Sequence, residues 1–386
     1  MFDITKRDVQ SSEIAPVSAS QFDLNAYVDY EAKLLERTAQ FSAASEGVAV
    51  YRRFRAAEVF SDGCRDMRRS LELQLGCLAA SMAFDTDIPN FLEPWYGIGT
   101  IAAAYGAEYV WNPGQAPAVL PRFETVAEAL AYDPVPIAQT AIGRHTLEMI
   151  DYFLNKTQGK LPMCFADSQS PLNASTMIVN TNNILMDTII DPEAVQLFLD
   201  RLANLSIDFV KEQKKMFGEC LVSPGHGFAS SRNFTGYGQS DDNLLMLSNE
   251  QYTECALPAF KKVGASFGGP AFHSCGNWSS HIPAVRTIEG LRFIDGAFSP
   301  DTDPDPNPCA PFAETFARSG VVVNARIVGK TDILEKHVRS LWLPGMKLIV
   351  VTYCQTPEEQ HKAYHLIHDV CDYTNMALPF TRKIVR

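Results

Sequence analysis

Apolar residues recur at helical spacing in two early stretches of the chain. Within 25–44 they fall at Val28, Leu34, Leu35 and Ala39, and within 65–82 at Met67, Leu71, Leu75 and Leu78. Both patterns predict amphipathic helices. The stretch before them is polar, with Ser11, Ser12, Ser18 and Ser20 around Pro16, and predicts an arm. Residues 1–84 therefore read as an N-terminal arm and helical extension. From residue 85 the rhythm changes to short apolar segment, turn and long helix. Strands are predicted at 87–93, 107–111, 161–167, 220–224, 269–273, 291–295, 321–325 and 348–353. Helices are predicted at 192–217, 249–263, 331–341 and 357–370. The first of these opens on the cap-and-proline pair Asp191-Pro192, and the last carries Glu358 and Glu359 in its first turn. Eight strands alternating with helices predict an α/β fold, a TIM (β/α)8 barrel over residues 85–386 with the helical extension in front of it. An open doubly wound sheet alternates in the same way. However, no Gly-x-Gly-x-x-Gly follows a predicted strand and no Walker motif is present.

Composition narrows the function classes. Hydrophobic residues make up 46% of the 386, enough for a large core. The formal net charge is -12, from 33 Lys and Arg against 45 Asp and Glu. Such a field repels phosphate backbones and argues against nucleic acid as a partner. Arg52, Arg53 and Arg55 form one basic cluster, and Arg65, Arg68 and Arg69 another; both read as solvated helix surface. No apolar run reaches the roughly 18 residues of a membrane span. The N-terminus lacks the apolar segment of a signal peptide, so a cytoplasmic protein without membrane insertion is expected. The nine cysteines are scattered and odd in number, which does not suit a disulfide framework. Most are expected to be buried thiols.

The exceptions are sought where metal donors gather. In Gly268-Gly269-Pro270-Ala271-Phe272-His273-Ser274-Cys275-Gly276-Asn277, a strand ends at His273 and a turn begins at Cys275. Side chains two apart at a strand end face the same side. Imidazole nitrogen and thiolate sulfur are zinc donors, and Gly276 permits a tight turn. Cys354 closes the last predicted strand before Gln355-Thr356-Pro357, so a closed barrel places it on the same rim. Three protein ligands and one open position make a catalytic zinc site, and His273, Cys275 and Cys354 are the candidate set. The competing reading is a core histidine and two buried thiols.

Other residues compete for a role. His226, in Pro224-Gly225-His226-Gly227, follows a strand and sits at the same rim level. Asp241 and Asp242 precede an apolar run, where an acid pair either caps a helix or donates a proton and positions substrate. His226, Asp241 and Asp242 are the candidate catalytic residues, with Glu93, Asp167 and Asp295 as further rim carboxylates. His361, His365 and His368 share one face of the final helix but have no carboxylate complement resembling His-Glu-x-x-His. They are expected on the outer helix layer, away from the rim. In the loop 298–311, Asp301, Asp303 and Asp305 alternate with Pro304, Pro306 and Pro308. The prolines exclude helix and central strand, and a calcium loop would need a central glycine and a terminal glutamate. A structured lid or a surface loop is expected over 301–308.

Several motifs together carry a family resemblance. They are Gly99 to Trp111 with Gln115-Ala116-Pro117, then Pro171-Leu172-Asn173-Ala174 and Asp191-Pro192-Glu193. Asp241-Asp242 with Ser248 to Pro258, Phe272 to Asn277, and Tyr353-Cys354-Gln355-Thr356-Pro357-Glu358-Glu359 complete the set. On these the chain resembles the uroporphyrinogen decarboxylase superfamily over roughly residues 85–375, and within it the zinc-dependent, corrinoid-linked methyltransferases. The resemblance implies a TIM barrel and a zinc ion on His273, Cys275 and Cys354. It also implies that the zinc takes a small thiol substrate as fourth ligand. The methyl group would come from a methylcorrinoid on a partner protein, because no Asp-x-His-x-x-Gly motif lies in this chain. Two departures stand out: the Met-Arg-Gln-Ala-Gly-Arg stretch of uroporphyrinogen decarboxylases is absent, and Thr352 and Tyr353 replace the glycines expected before the late cysteine. The alternatives are a metal-free decarboxylase, a non-catalytic barrel that binds a corrinoid protein, and zinc-dependent hydrolysis with Asp241 or Asp242 as base.

Overall fold

The computed structural model describes residues 10–372 other than Ser168. Its strands are β1 (Gly47–Arg52), β2 (Tyr109–Val110), β3 (Ala118–Val119), β4 (Tyr237–Ser240), β5 (Pro270–His273), β6 (Phe293–Ala297), β7 (Val322–Arg326) and β8 (Lys347–Thr352). Six of them form one sheet in the order β1-β8-β7-β6-β5-β4, with every neighbouring pair parallel. Helices lie between them in sequence, as parallel pairing requires. The result is an α/β, TIM-barrel-like fold with a helix, Leu24–Ala43, ahead of the first strand.

β1 lies inside the stretch that the hydrophobic pattern assigns to the helical extension. It is buried at all six positions, so it shows none of the alternation that marks a half-buried strand. The expected barrel strand at 107–111 is corrected: it contributes only β2, which pairs antiparallel with β3 in a small separate hairpin. Asn112-Pro113-Gly114 turns the chain back at once, and Pro113 has no N–H to extend a ladder.

Extended segments occupy the arc between β4 and β1. They meet through single parallel bridges, Leu92 with Met163, Met163 with Leu221, and Gln169 with Ser240, rather than through regular ladders. The expected strands at 87–93, 161–167 and 220–224 map onto this arc. Side chains explain the irregularity beside β1. Val50 N donates to Asp87 Oδ2 (2.8 Å), Arg52 N to Thr86 Oγ1 (3.3 Å), and Asn90 Nδ2 to Arg52 O (2.9 Å). The outer edge of β1 is thus satisfied largely by side chains where a partner backbone would ordinarily serve.

The expected helices at 25–44, 65–82, 192–217, 331–341 and 357–370 appear as Leu24–Ala43, Met67–Ser81, Pro192–Phe217, Thr331–Leu341 and Pro357–Asp372. Asp191 caps its helix by accepting from Ala194 N. The expected helix at 249–263 starts on a Ser248–Gln251 capping box, widens into a π turn at Tyr252–Ala256, and continues as Leu257–Ala265. Pro258 has no N–H for an intrahelical bond, and the widened turn lies immediately before it. Among the described residues no helix is long and apolar enough to cross a membrane.

Candidate active site on the strand rim

Strand register builds the site. Ala49, Ile349, Asn324, Asp295, His273 and Ser240 are successive partners across the sheet. Side chains at one register level share a face, and those two residues away share it again. One level below His273 and its neighbours lie Ala271, Phe293 and Val322, which belong to a buried apolar cluster with Ala49 and Ile349. The polar residues therefore stand on an apolar plug, toward the carboxyl ends of the strands. Ligand sites in parallel barrels lie at that end.

Within this layer Asp295 is fully buried and takes three donors. His273 Nδ1 lies 2.6 Å from its Oδ2, Arg326 Nε donates to the same oxygen at 2.9 Å, and Asn324 Nδ2 donates to Oδ1 at 2.5 Å. Burial alone would favour its neutral form, but Arg326 and His273 hold its pKa below the usual carboxylate range. Burial opposes a charge on His273 too. The Asp295 carboxylate and the nearby Cys275 overcome this and raise the imidazole to about 10. With Nδ1 committed to Asp295, His273 turns Nε2 toward Cys275 Sγ, 3.6 Å away. A carboxylate behind a histidine is the usual way of orienting a metal-binding imidazole.

Asp242 is the third member. Its Oδ1 accepts from Cys275 N at 2.6 Å and its Oδ2 from Asn173 Nδ2 at 3.0 Å. One donor atom each from Asp242, His273 and Cys275 lies within 4.8 Å of the others. Nitrogen, sulfur and oxygen donors converging at an exposed thiol suit a borderline divalent cation such as zinc. The residues thus fit the metal chemically, and Asp242 is a donor beside His273 and Cys275 that the expected set with Cys354 did not include. Cys354 lies beyond the end of β8 on the same rim. It is partly buried, and burial pushes its thiol up to about 11. Its carbonyl takes a 2.6 Å bond from Arg52 Nε.

The two neighbouring aspartates divide. Asp241 is fully buried, accepting from Ser170 Oγ (2.6 Å) and Tyr252 OH (2.7 Å). Burial raises its pKa to about 6. Its contacts are with the fold, whereas Asp242 gathers with His273 and Cys275. The acidic proline loop braces the same turn: Gly276 N donates to Asp303 Oδ2 at 2.9 Å, and Asn307 Nδ2 to Gly276 O at 3.0 Å. Gly276 adopts a positive φ of 69°, which favours glycine there.

His226 belongs to a second cluster on the rim. Its Nδ1 pairs with Glu93 Oε1, and its Nε2 lies 3.7 Å from Asp167 Oδ2. Trp95 Nε1 donates to the same Asp167 oxygen at 3.0 Å. Burial works against the imidazolium, but Asp167 and Glu93 raise the His226 pKa above its ordinary value. Burial likewise opposes ionisation of Glu93, but His226, Arg53 and Arg55 bring its pKa below normal. Gln169 and Asn173 link the clusters: Gln169 Nε2 contacts Asp167 at 3.3 Å, and Asn173 Nδ2 contacts both Gln169 Oε1 and Asp242 Oδ2.

The basic residues correct the surface expectation. Arg52 is 1% exposed at the end of β1, and the Arg55 guanidinium lies 4.6 Å from the Phe60 ring centroid. Arg68 and Arg69 do lie on an exposed helix face, paired with Glu72 and Glu58. From sequence, Asn173 stands out only as part of the Pro171–Ala174 motif, and Asn324 and Arg326 do not stand out as site residues. The latter two had a signal: polar residues at alternate positions in Val322-Val323-Asn324-Ala325-Arg326, a strand otherwise apolar.

Residues 41–231 match the sequence family described as uroporphyrinogen decarboxylase (URO-D). The matched stretch holds Arg53, Glu93, Asp167 and His226, and ends before Asp242. No curated protein matches the chain. Among solved structures, a methyltransferase from Methanosarcina mazei superposes with a TM-score of 0.62. That alignment covers 87% of this chain and 98% of the other at 14% identity, so the likeness is one of fold. The chain has a URO-D-like fold.

Proposed function

We propose that the protein is a URO-D-like enzyme that works at this rim, with a zinc ion held by Asp242, His273 and Cys275 and a small thiol as methyl acceptor. The convergence of those three donors in front of Asp295 carries the reading. A bound zinc would lower the pKa of the thiol and hold it as a nucleophile. Asp295 fixes the His273 ring, Asn173 and Cys275 N hold Asp242, and the loop at Asp303 and Asn307 holds the Cys275 turn. Cys354 stands at the same rim as a further donor for a rearranged site. The methyl donor would be a methylcorrinoid on a partner protein.

A second reading, metal-free decarboxylation, has more direct support from the sequence match, which bears the decarboxylase description and covers the Arg53–Glu93–His226 side of the rim. There Arg53 and Arg55 would hold a substrate carboxylate. As carbon dioxide leaves, the bonding pair would stay on carbon and His226 would supply the proton.

Metal analysis and activity separate the two. Purified protein should hold zinc, and Cys275→Ser or Asp242→Asn should lower its content and abolish methyl transfer from methylcobalamin to a small thiol. Zinc content unchanged by both substitutions, or carbon dioxide release by metal-stripped protein at full rate, would overturn the methyl-transfer reading.

A further inference from the structure

Apart from the rim clusters, the final helix carries a second group of side chains with metal-donor atoms. His361 and His365 stand one turn apart on Pro357–Asp372, with ring centroids 4.4 Å apart. Their sequence pattern has no carboxylate, but the fold supplies one. Asp85 Oδ2 lies 2.7 Å from His361 Nδ1, and one donor atom each from Asp85, His361 and His365 falls within 4.8 Å of the others. Asp85 is anchored, because Gln360 Nε2 donates to its carbonyl at 2.7 Å while Gln360 Oε1 accepts from Thr352 in β8 at 2.8 Å. The third histidine of the face is used differently: His368 Nε2 lies 2.9 Å from the buried Asp87.

We propose that Asp85, His361 and His365 form a metal site separate from the rim, selective for borderline divalent cations such as zinc. Residues four apart on a helix present their side chains on one face, so the two imidazoles chelate together. Two nitrogen donors exclude magnesium and calcium, which take oxygen ligands, while one carboxylate offsets part of the cation's charge. Zinc bonds of about 2 Å in a tetrahedron place donors roughly 3.3 Å apart. Exposed side chains reach that spacing by rotamer adjustment, and Asp85 and His361 are both exposed. Water completes the coordination. The site ties the final helix to the segment that closes the outer edge of β1, so binding should stabilise the fold by mass action.

Chelator-stripped full-length protein is titrated with zinc, followed by equilibrium dialysis and thermal melting. Wild type should bind one zinc more than the double variant His361→Ala, His365→Ala, with an affinity loss of at least 100-fold at this site. Asp85→Asn should weaken binding several-fold. Cys275→Ser should keep a zinc-dependent rise in melting temperature, and the double histidine variant should show a smaller rise than wild type, with only the rim site left to contribute. Equal zinc stoichiometry and an equal melting response in wild type and the double variant would overturn the proposal. So would a rise of the same size with magnesium. Circular dichroism of the double variant confirms that its fold is intact, as substitution at a helix surface implies.

Discussion

Asp241 and Asp242 are sequence neighbours, yet only Asp242 joins His273 and Cys275. β4 ends at Ser240, and the chain then enters a 3-10 turn at Asp242. Asp241 is drawn inward to the Ser170 and Tyr252 hydroxyls while Asp242 stays with Cys275. The buried acid has a folded pKa of about 6, against about 3.9 when unfolded. A raised acid pKa contributes stability that is present below pH about 4 and lost as the pH rises through about 6. Asp241→Asn carries no charge at any pH. From pH 4 to pH 7 its unfolding free energy relative to wild type should therefore shift in the variant's favour by about 3 kcal/mol. Urea denaturation at the two pH values tests this, and parallel changes in both proteins would refute it. A second residue-scale prediction concerns Asp295, which is fully buried and sets the His273 ring. Asp295→Asn should weaken zinc binding by about 10- to 100-fold. Metal titration reads the affinity, and melting of the metal-stripped variant reads separately the cost of leaving Arg326 without its carboxylate.

At the scale of elements, the helix before β5 controls where His273 stands. A Cβ built on Gly264 would lie 2.5 Å from Pro270 Cα, the first residue of β5. The neighbour is backbone and cannot swing aside. Gly264→Ala should push helix and strand apart at a cost of about 1–3 kcal/mol, lowering the melting temperature and, in the same protein, the zinc affinity. An unchanged melting temperature would show that the helix shifts freely. The spacing that predicts the helix at 249–263 says nothing of how Gly264 packs. The same split holds for the other elements. Pro192–Phe217 was legible because an apolar stripe fixes its period and the Asp191 cap its start, and Thr331–Leu341 because of its apolar stripe alone. β1 was not, because a strand covered on both faces has no period to read. His273 and Cys275 were legible from two-residue spacing. The pairing of Asp242 with them depends on parallel register between β4 and β5, which no local pattern encodes.

For the whole molecule, Asp87 is the point where both ends of the described chain meet the sheet. Its carboxylate accepts from Val50 N in β1 (2.8 Å) and Tyr364 OH in the final helix (2.6 Å), and pairs with His368 Nε2. Arg37 from the first helix reaches the same group at 3.4 Å. Burial would raise its pKa, but His368, Tyr364 and Val50 N hold it below the normal aspartate value. A lowered acid pKa contributes stability that is present above the unfolded value of about 3.9 and lost as the pH falls through the folded one. Asp87→Asn should therefore flatten the acid limb of the stability profile below pH 4. Asp87→Ala removes the acceptor of the β1 amide and the buried carboxylate that Tyr364 and His368 share, and should cost about 3–5 kcal/mol at pH 7. Both effects are read from urea midpoints across pH. Because the carboxylate stands in for a missing ladder, loss of Asp87 should also speed amide hydrogen exchange in β1 before β6 and β7. β6 and β7 have backbone partners on both sides. Equal exchange rates in all three strands would show that the arc beside β1 is held by packing instead.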